Sequence, residues 1–568
     1  VAGHRFRHPA TPLLGAAMLA SGVLLVALGA RLSFLLDDWV FILYRRGFNL
    51  DAFMRPDNEH FVAGPVAIWK LLLGAFGMGS TVPFRVVSTA LFLVGVWLTF
   101  VWMRRRVGEW ASLFAAVLVL FLGAAFDDLL WFSSITFLGS MAFGLGMLVA
   151  LDRRDRVGDR WACALLVGSL LFSSLWLAFA AGAALDVVLR REERPWGGRA
   201  YVVVVPALLF AAWWLGWGHT AESALSLHNL ATTPLYVLDS IAAAIAALLG
   251  LAIPVEGATA ANGLDWGRPL AIVLIGLAAW RMSRLERIPR SLWVVLAIGL
   301  AFWALGGLDV KVGRAASDSR YQYPGAVFVL LFAAELLRGV RLDRRLLGPA
   351  IVVVGAAVLA NVTFLHEAYK SYLGTSQLER ADLGAAEIAR DTVEPGLVLS
   401  EDIADTGYVS VDVGSYLSAR DAFGSPAYDA EELAAAPEAA RTAADKVLAA
   451  ALRIELTPAQ GRPETASPPP RLISAGEVRP AAGGSCVVVQ SIPVAPTILE
   501  LPPGGVSLRP AGEVEARLRR YAPSFPVDAG ALTPDRWSSL AIPTDRSRRR
   551  WQLKLVGSAT ITACGLAG

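Results

Sequence analysis

Up to about residue 365 the chain alternates long apolar runs with short charged clusters. Beyond that point the apolar positions come in short runs, broken by Pro, Gly and Ala-rich stretches. A run of about 20 apolar residues has the length of a membrane-crossing helix, and Lys and Arg collect in cytoplasmic loops. On those two rules Arg5 and Arg7 put the N-terminus inside, and the first span covers about 11–36. A cleaved signal peptide is the competing reading of that first run, set aside because many more spans follow. The second span, about 81–103, returns to "RRR" at 104–106; the third, about 109–126, goes out to Asp127 and Asp128; the fourth, about 131–151, returns to "DRRDR". Residues 161–190 must cross an even number of times and fit a helical hairpin broken at Ser173 and Ser174. Spans at about 201–218, 269–280, 291–308, 324–339 and 347–365 follow, with 235–253 expected to be re-entrant or interfacial. The total is about eleven spans. That odd number places everything after 365 outside, on the same side as the loop 37–80.

The remainder predicts soluble structure. Residues 366–460 carry helical stretches such as "AEELAAAPEAARTAADKVLAAAL", with "GLVLSEDI" as a short strand. "GRPETASPPPR" reads as a linker. After it, "CVVVQSI", "TILELP", "GVSLRP", "WQLKLVG" and "ATITAC" alternate and are separated by turn residues, as in a small β-sandwich. The expected organisation is therefore a helical membrane domain (1–365), an extracytoplasmic mixed α/β segment (366–460) and a sandwich (461–568). Such sandwiches often bind sugars, and Trp537 or Trp551 could stack on one; packing is the plainer role for each.

Composition agrees. The 568 residues are 55% hydrophobic and 17% charged, against about 25% charged in soluble domains. A net charge of +3 gives no footing for a nucleic-acid partner. Cys163 sits in an apolar run, whereas Cys486 and Cys564 share the C-terminal region. If that region is outside the cytoplasm, a disulfide between them is open.

Certain polar residues lie where hydrocarbon makes charge costly. Asp37 and Asp38 follow the first span in "LSFLLDDWVFI", and Asp127 and Asp128 interrupt "GAAFDDLLWF". The threading puts both pairs at one membrane face. There Asp37, Asp127 and Asp128 could share Mg²⁺ or Mn²⁺, or one acid could serve as a general base. The alternative is an ordinary acidic loop end. Glu59 and His60, in "RPDNEHF", could contact a polar substrate from the first outer loop. Arg314 and Arg320, in "GRAASDSRYQYPG", are cations on the outer side, and their planar forks suit phosphate. Lys70 and Arg85, near the outer end of the second span, could join them or could snorkel to headgroups. Carboxylates, cations and an apolar wall together suit a substrate with a lipid tail, a phosphate and a polar head.

With these residues in view, the acidic pair after the first span, "RPDNEHFVAGPVAIWKLLLGAFG", the short middle helices and the late "SRYQYP" resemble the GT-C superfamily of membrane glycosyltransferases, relatives of protein mannosyltransferases, aminoarabinose transferases and mycobacterial arabinosyltransferases. The resemblance covers roughly residues 11–365, and the outer β-domain looks similar to actinobacterial cell-envelope members. It implies a GT-C fold in a plasma (inner) membrane. It also implies a polyprenyl-phosphate-sugar donor and inverting transfer to a hydroxyl of a cell-envelope glycan, glycolipid or protein. By the same resemblance Asp37, with Asp38 beside it, deprotonates the acceptor. Asp127 and Asp128 position it or hold a metal, and Arg320 and Tyr321 meet the donor phosphate. The family's pair is often Asp-Glu, so which of Asp37 and Asp38 is the base stays open, as does metal dependence. Two readings compete: a lipid or glycolipid flippase or transporter, which should show internal repeats, and a non-catalytic envelope assembly protein.

Overall fold

The protein is described by a computed structural model covering residues 10–192, 195–252, 263–311, 314–399, 411–459, 461, 468–474, 478–480, 485–492 and 497–566. Arg5, Arg7 and most of the expected linker lie outside the described residues. The chain divides into two compact units. The first holds residues up to Leu32, Tyr44–Phe76 and Ser80–Tyr372; the second holds Ser33–Leu43, Gly77–Gly79 and everything from Leu373.

Helices build the first unit: α1 (Ala10–Gly29), then, after α2 (Asp38–Leu43) of the second unit, α3 (Leu50–Met54), α4 (Ala63–Phe76), α5 (Val82–Val107), α6 (Glu109–Leu120), α7 (Phe126–Leu130), α8 (Ile135–Leu151), α9 (Arg156–Leu170) and α10 (Trp176–Leu189). They continue as α11 (Tyr201–Gly216), α12 (Leu227–Leu248), α13 (Leu264–Ser283), α14 (Arg290–Leu308), α15 (Gln322–Leu336) and α16 (Arg344–Ile388), whose last part belongs to the second unit. Six helices among the described residues are long and apolar enough to cross a membrane. A seventh is added if Glu109–Leu120 and Gly123–Leu130, bent by 46°, form one broken span. That is fewer than the eleven or so threaded from the sequence; two of the threaded spans, α10 and α11, are apolar but shorter.

The local chemistry explains several boundaries. Arg104, Arg105 and Arg106 occupy the last turn of α5, where positive charge meets the helix dipole. Gly108 then turns the chain at φ +83°, a left-handed conformation that favours glycine. Asp155 caps α9 by accepting from Gly158 N at 2.6 Å. The expected hairpin at 161–190 is present as α9 and α10, with the break at 171–175. The Leu171 carbonyl freed there accepts from Gly64 N at 2.8 Å, which is how a broken helix is tolerated in an apolar setting.

One expectation changes: residues 235–248 are not a short piece but continue a 22-residue helix, α12, long and apolar enough to cross a membrane, while 253 lies outside the described residues. The run looked short because its first turns, "LHNLATTP", are polar. Ser226 caps them through Asn229 N at 3.1 Å. A crossing at α12 would add one to the count from which the side of the C-terminal region was read.

The second unit contains the helices Val413–Phe423, Ala430–Ala435 and Glu438–Ala451, the short antiparallel pair β1 (Val398–Leu399) and β2 (Val411–Asp412), and two antiparallel sheets. The strands of those sheets are β3 (Leu456–Pro458), β4 (Arg471–Leu472), β5 (Val478–Pro480), β6 (Cys486–Ser491), β7 (Thr497–Glu500), β8 (Gly504–Pro510), β9 (Val514–Arg519), β10 (Val527–Leu532), β11 (Ser538–Ile542), β12 (Gln552–Val556) and β13 (Ala559–Gly565). One sheet runs β10-β9-β12-β7-β4, the other β3-β11-β8-β13-β6-β5. Alternation along β9 buries Val514, Ala516 and Leu518 while Glu515 and Arg517 face solvent. Of the expected strand "GLVLSEDI" only β1 is described, since residues 400–410 lie outside. The boundary expected at 461 does not separate two cores: Ala385, Leu433 and Leu448 share one buried cluster with Leu518, Leu553 and Ile561. Asp445 fastens that junction, its carboxylate accepting from the backbone N–H groups of Arg520, Tyr521 and Ala522 at 2.7, 2.9 and 3.0 Å. Cys486 and Cys564, opposite each other on β6 and β13, form a disulfide.

Candidate functional site

The first unit gathers charged and aromatic side chains from three distant segments. The first is the turn before α4. Asp57 and His60 exchange backbone hydrogen bonds (3.1 and 2.9 Å), with Asn58 left-handed at φ +49°. Arg45, buried, pins this turn by donating to the Arg55 and Pro56 carbonyls at 2.9 Å each. The pinned turn presents Glu59 and His60. His60 meets Ser174 at the α9–α10 break and packs edge-on to Phe137.

The second segment is the connection from α14 to α15. Arg314 binds Glu59 in bidentate fashion at 2.6 and 3.0 Å, and Asp309 at 2.7 Å. Asp318 accepts from Ala315 N at 2.9 Å and pairs with Arg320 at 3.9 Å. Tyr321 follows, its ring between Phe137 and Phe302 and beneath the Arg320 guanidinium. The electrostatics are uneven. Burial alone would raise the Glu59 carboxyl, but His60 and Arg314 together bring it down to about 2. Burial pushes Asp318 up to about 6, with Arg320 and the Ala315 N–H opposing and Asp127 adding to the rise.

The third segment is α7, the acidic turn. Asp127 N donates to Ser319 Oγ at 2.9 Å, and Tyr372 Oη, from α16, donates to its carboxylate at 2.5 Å. The turn is held from behind by Asn361, which accepts from Ala124 N at 3.3 Å and donates to the Ala247 carbonyl at 2.8 Å. Asp128 is 1% exposed, and neither carboxylate oxygen has a hydrogen-bond partner. Among the described residues no group of three or more His, Cys, Asp or Glu is arranged to hold a metal ion.

Seven of the sequence candidates thus lie in this assembly: Glu59, His60, Asp127, Asp128, Arg314, Arg320 and Tyr321. Lys70 and Arg85 are used differently. Lys70 donates to the Arg45 and Gly47 carbonyls and sits over the Phe48 and Phe53 rings. Arg85 donates to the Leu130 carbonyl, reaching α7 through its backbone. Asp318, Ser319, Tyr372 and Asn361 were missed by sequence reasoning. The first two stand beside Arg320 in a motif already singled out, and that adjacency was the available signal.

Asp37 and Asp38 belong to the second unit. Leu36 precedes them with φ +50°, a strained conformation for a branched residue. Asp38 is fully buried and turned back, its Oδ2 accepting from Leu35 N at 3.0 Å. Asp37 is only half-buried. In the sandwich Trp551 is 1% exposed and part of the core, so it offers no face for stacking on a sugar.

No protein-family model matches the chain, and no curated protein does. Among solved structures the chain is similar to arabinosyltransferase EmbB from Mycobacterium smegmatis, at 13% identity and a TM-score of 0.33, over 98% of this chain and 64% of that one. The chain thus spans 64% of that protein's length, and a likeness this slight carries no weight for function.

Proposed function

We propose that this integral membrane protein is a glycosyltransferase that moves a sugar from a polyprenyl-phosphate donor to a cell-envelope hydroxyl with inversion. The observation that carries the reading is the gathering, in the first unit, of Arg314, Arg320, Tyr321, Glu59, His60 and Asp127 amid helices apolar enough to cross a membrane. Buried charge in such a setting is a functional candidate by default.

In this reading Arg320, with Tyr321 and Arg314, receives the donor phosphate. The acceptor oxygen attacks the anomeric carbon as the bond to the phosphate oxygen breaks, and the electron pair leaves on the phosphate, where positive charge stabilises it. Asp37 takes the acceptor proton. Its partial exposure favours it over Asp38, which is fully buried. Asp127, Asp128, Glu59 and His60 position the acceptor. The cystine Cys486–Cys564 supports an extracytoplasmic second unit, because disulfides persist in oxidising compartments.

Purified protein is incubated with a panel of polyprenyl-phosphate sugars and acceptor glycans. The expected result is consumption of one donor, with Asp37→Asn retaining donor binding but losing at least about a hundredfold in turnover, the lower end of the range for a general base. Near-normal turnover in Asp37→Asn would sink the assignment of the base. Consumption of no donor by the wild type would sink the reading.

A further inference from the structure

The loop carrying the acidic pair is built into the second unit by specific contacts that the proposed chemistry does not itself use. Trp39, fully buried and next to Asp38, donates its indole N–H to Glu379 Oε1 at 2.6 Å. Its ring meets Phe34 and Tyr416 edge-on, with centroids at 6.3 and 5.9 Å. Tyr416 in turn donates its hydroxyl to Glu387 Oε1 at 2.6 Å, and Ser425 donates to the same oxygen. At the start of the loop Ser33 N donates to Ser376 Oγ at 3.1 Å. Ser376, Glu379 and Glu387 all lie on the last turns of α16, so one helix grips the loop through Ser33 and Trp39 and the aromatic pair Trp39–Tyr416 through two carboxylates.

Glu379 is 1% exposed, and the Asp38 and Asp382 carboxylates act on it electrostatically. Burying a carboxylate beside two others is costly. A loop that needed only packing would be served as well by an apolar residue. What the carboxylate adds is a directional acceptor that fixes the indole, and with it the first turn of α2. That turn sets the backbone at Leu36 and Asp37.

We infer that Glu379 is a positioning residue: through the Trp39 indole it fixes the loop 33–43 so that Asp37 is presented in one orientation. The inference deepens the glycosyltransferase reading and rests on it for the role of Asp37. The docking of the loop itself does not.

The experiment uses the full chain in detergent with the variants Glu379→Ala, Glu379→Gln and Trp39→Phe. Two readouts are taken: amide hydrogen exchange in 33–43, against the helix Glu438–Ala451 as internal control, and steady-state transfer kinetics. Loss of the docking bond is expected to speed exchange in 33–43 by about tenfold or more in Glu379→Ala and Trp39→Phe, with the control helix unchanged. The same two variants should lose about 10- to 100-fold in kcat, with KM for the donor within about twofold, since a small misplacement of a reacting group costs rate rather than donor affinity. Glu379→Gln keeps an acceptor oxygen and should restore both protection and most of kcat. Wild-type exchange in Glu379→Ala overturns the inference. So does a Glu379→Gln variant with a protected loop and no turnover, because the charge would then act directly in the chemistry. If the wild type transfers no sugar, the glycosyltransferase reading falls, while the exchange data still decide whether Glu379 docks the loop.

Discussion

Arg314 and Glu59, 255 positions apart in the sequence, face each other in a bidentate ion pair with N···O distances of 2.6 and 3.0 Å. The pair joins the turn before α4 to the connection between α14 and α15. Each partner has a second neighbour: Asp309 at 2.7 Å from Arg314, and His60 at 3.8 Å from Glu59. Such a pair serves equally as a strut and as a phosphate seat, and only a double variant separates the two.

Arg314→Gln should lower stability by about 1–3 kcal/mol, because Glu59 loses its bidentate donor while staying partly solvated. Glu59→Gln with Arg314→Gln should recover most of that loss, since Glu59 no longer leaves a charge unpaired and Asp309 keeps Lys311 at 3.6 Å. Donor KM should stay raised about tenfold in both, the value of one charge-assisted contact. Thermal unfolding in detergent and donor titration are the measurements. A double variant that regains donor affinity along with stability would assign the pair to structure alone.

Asp318 supplies a pH dependence. Its carboxyl rises from an ordinary 3.8 to about 6, chiefly through burial. The folded state therefore holds this proton more tightly than the unfolded one. Stability from this group is fully present below about pH 4, declines between about pH 4 and 6, and is flat above. The two values span about 3 kcal/mol. Asp318→Asn should thus raise the unfolding temperature at pH 7.5 but not at pH 4. If Arg320 receives phosphate, donor binding to the wild type should also strengthen as pH falls through about 6, where Asp318 stops competing for the guanidinium, and the variant should bind without that inflection. Parallel unfolding curves for the two proteins from pH 4 to 7.5 would contradict the burial account.

Gly123 precedes the acidic turn at a point of close approach. A Cβ there would lie 1.8 Å from the Asn361 carbonyl oxygen and 2.9 Å from Leu365 N, both backbone atoms of α16. Neither can move without displacing that helix. Gly123→Ala is expected to destabilise by about 3 kcal/mol or more, at the upper end of overpacking costs. It should also displace Asp127 from Ser319 and Tyr372. Gly355, with nothing near its missing Cβ, is the control: Gly355→Ala on the same helix should be neutral or slightly stabilising by about 0.5–1 kcal/mol. Unfolding temperatures of the two variants, read side by side, make the check.

Much of this was legible in the sequence, and the failures have physical causes. Apolar period and length marked α1, α5, α8 and α14, and even the α9–α10 break at Ser173 and Ser174. Charge threading was weaker because several arginines counted as cytoplasmic markers are internal struts. Arg106 pairs with Glu335 and Asp152, and Arg199 with Asp159 and Asp186, all on buried or nearly buried side chains. A charge already neutralised inside the fold says little about which side a loop occupies. In the sandwich β6, β7, β8, β12 and β13 were readable from β-branched alternation. By contrast β9, "VEARLR", and β10, "VDAGAL", carry Ala, Glu and Gly, which are depleted in strands, and only pairing with neighbours makes them strands. At the candidate site the sequence offered the charged residues but not their supports. Tyr372, Asn361 and Glu379 all come from α16, more than 230 positions after the acids they serve, and no local pattern carries that separation.

The cystine offers a test of stability and compartment together. Cys486 and Cys564 close a loop with a sequence separation of 78, and a loop of that size corresponds to about 4.5 kcal/mol of unfolded-state entropy in the chain-entropy account. Cys486→Ser with Cys564→Ser should therefore lower the stability of the second unit by about 2–5 kcal/mol, seen as a lower unfolding temperature for its core residues. The first unit's helical signal should be unaffected, because both cysteines pair within the sandwich. The same residues report on location. If the second unit lies outside the cytoplasm, thiol reagents applied to denatured, unreduced membranes should label Cys163 alone, since the two sandwich sulfurs are already oxidised. Labelling of all three cysteines would place the sandwich in a reducing compartment. It would also remove the support the disulfide lends to a reaction at the outer face.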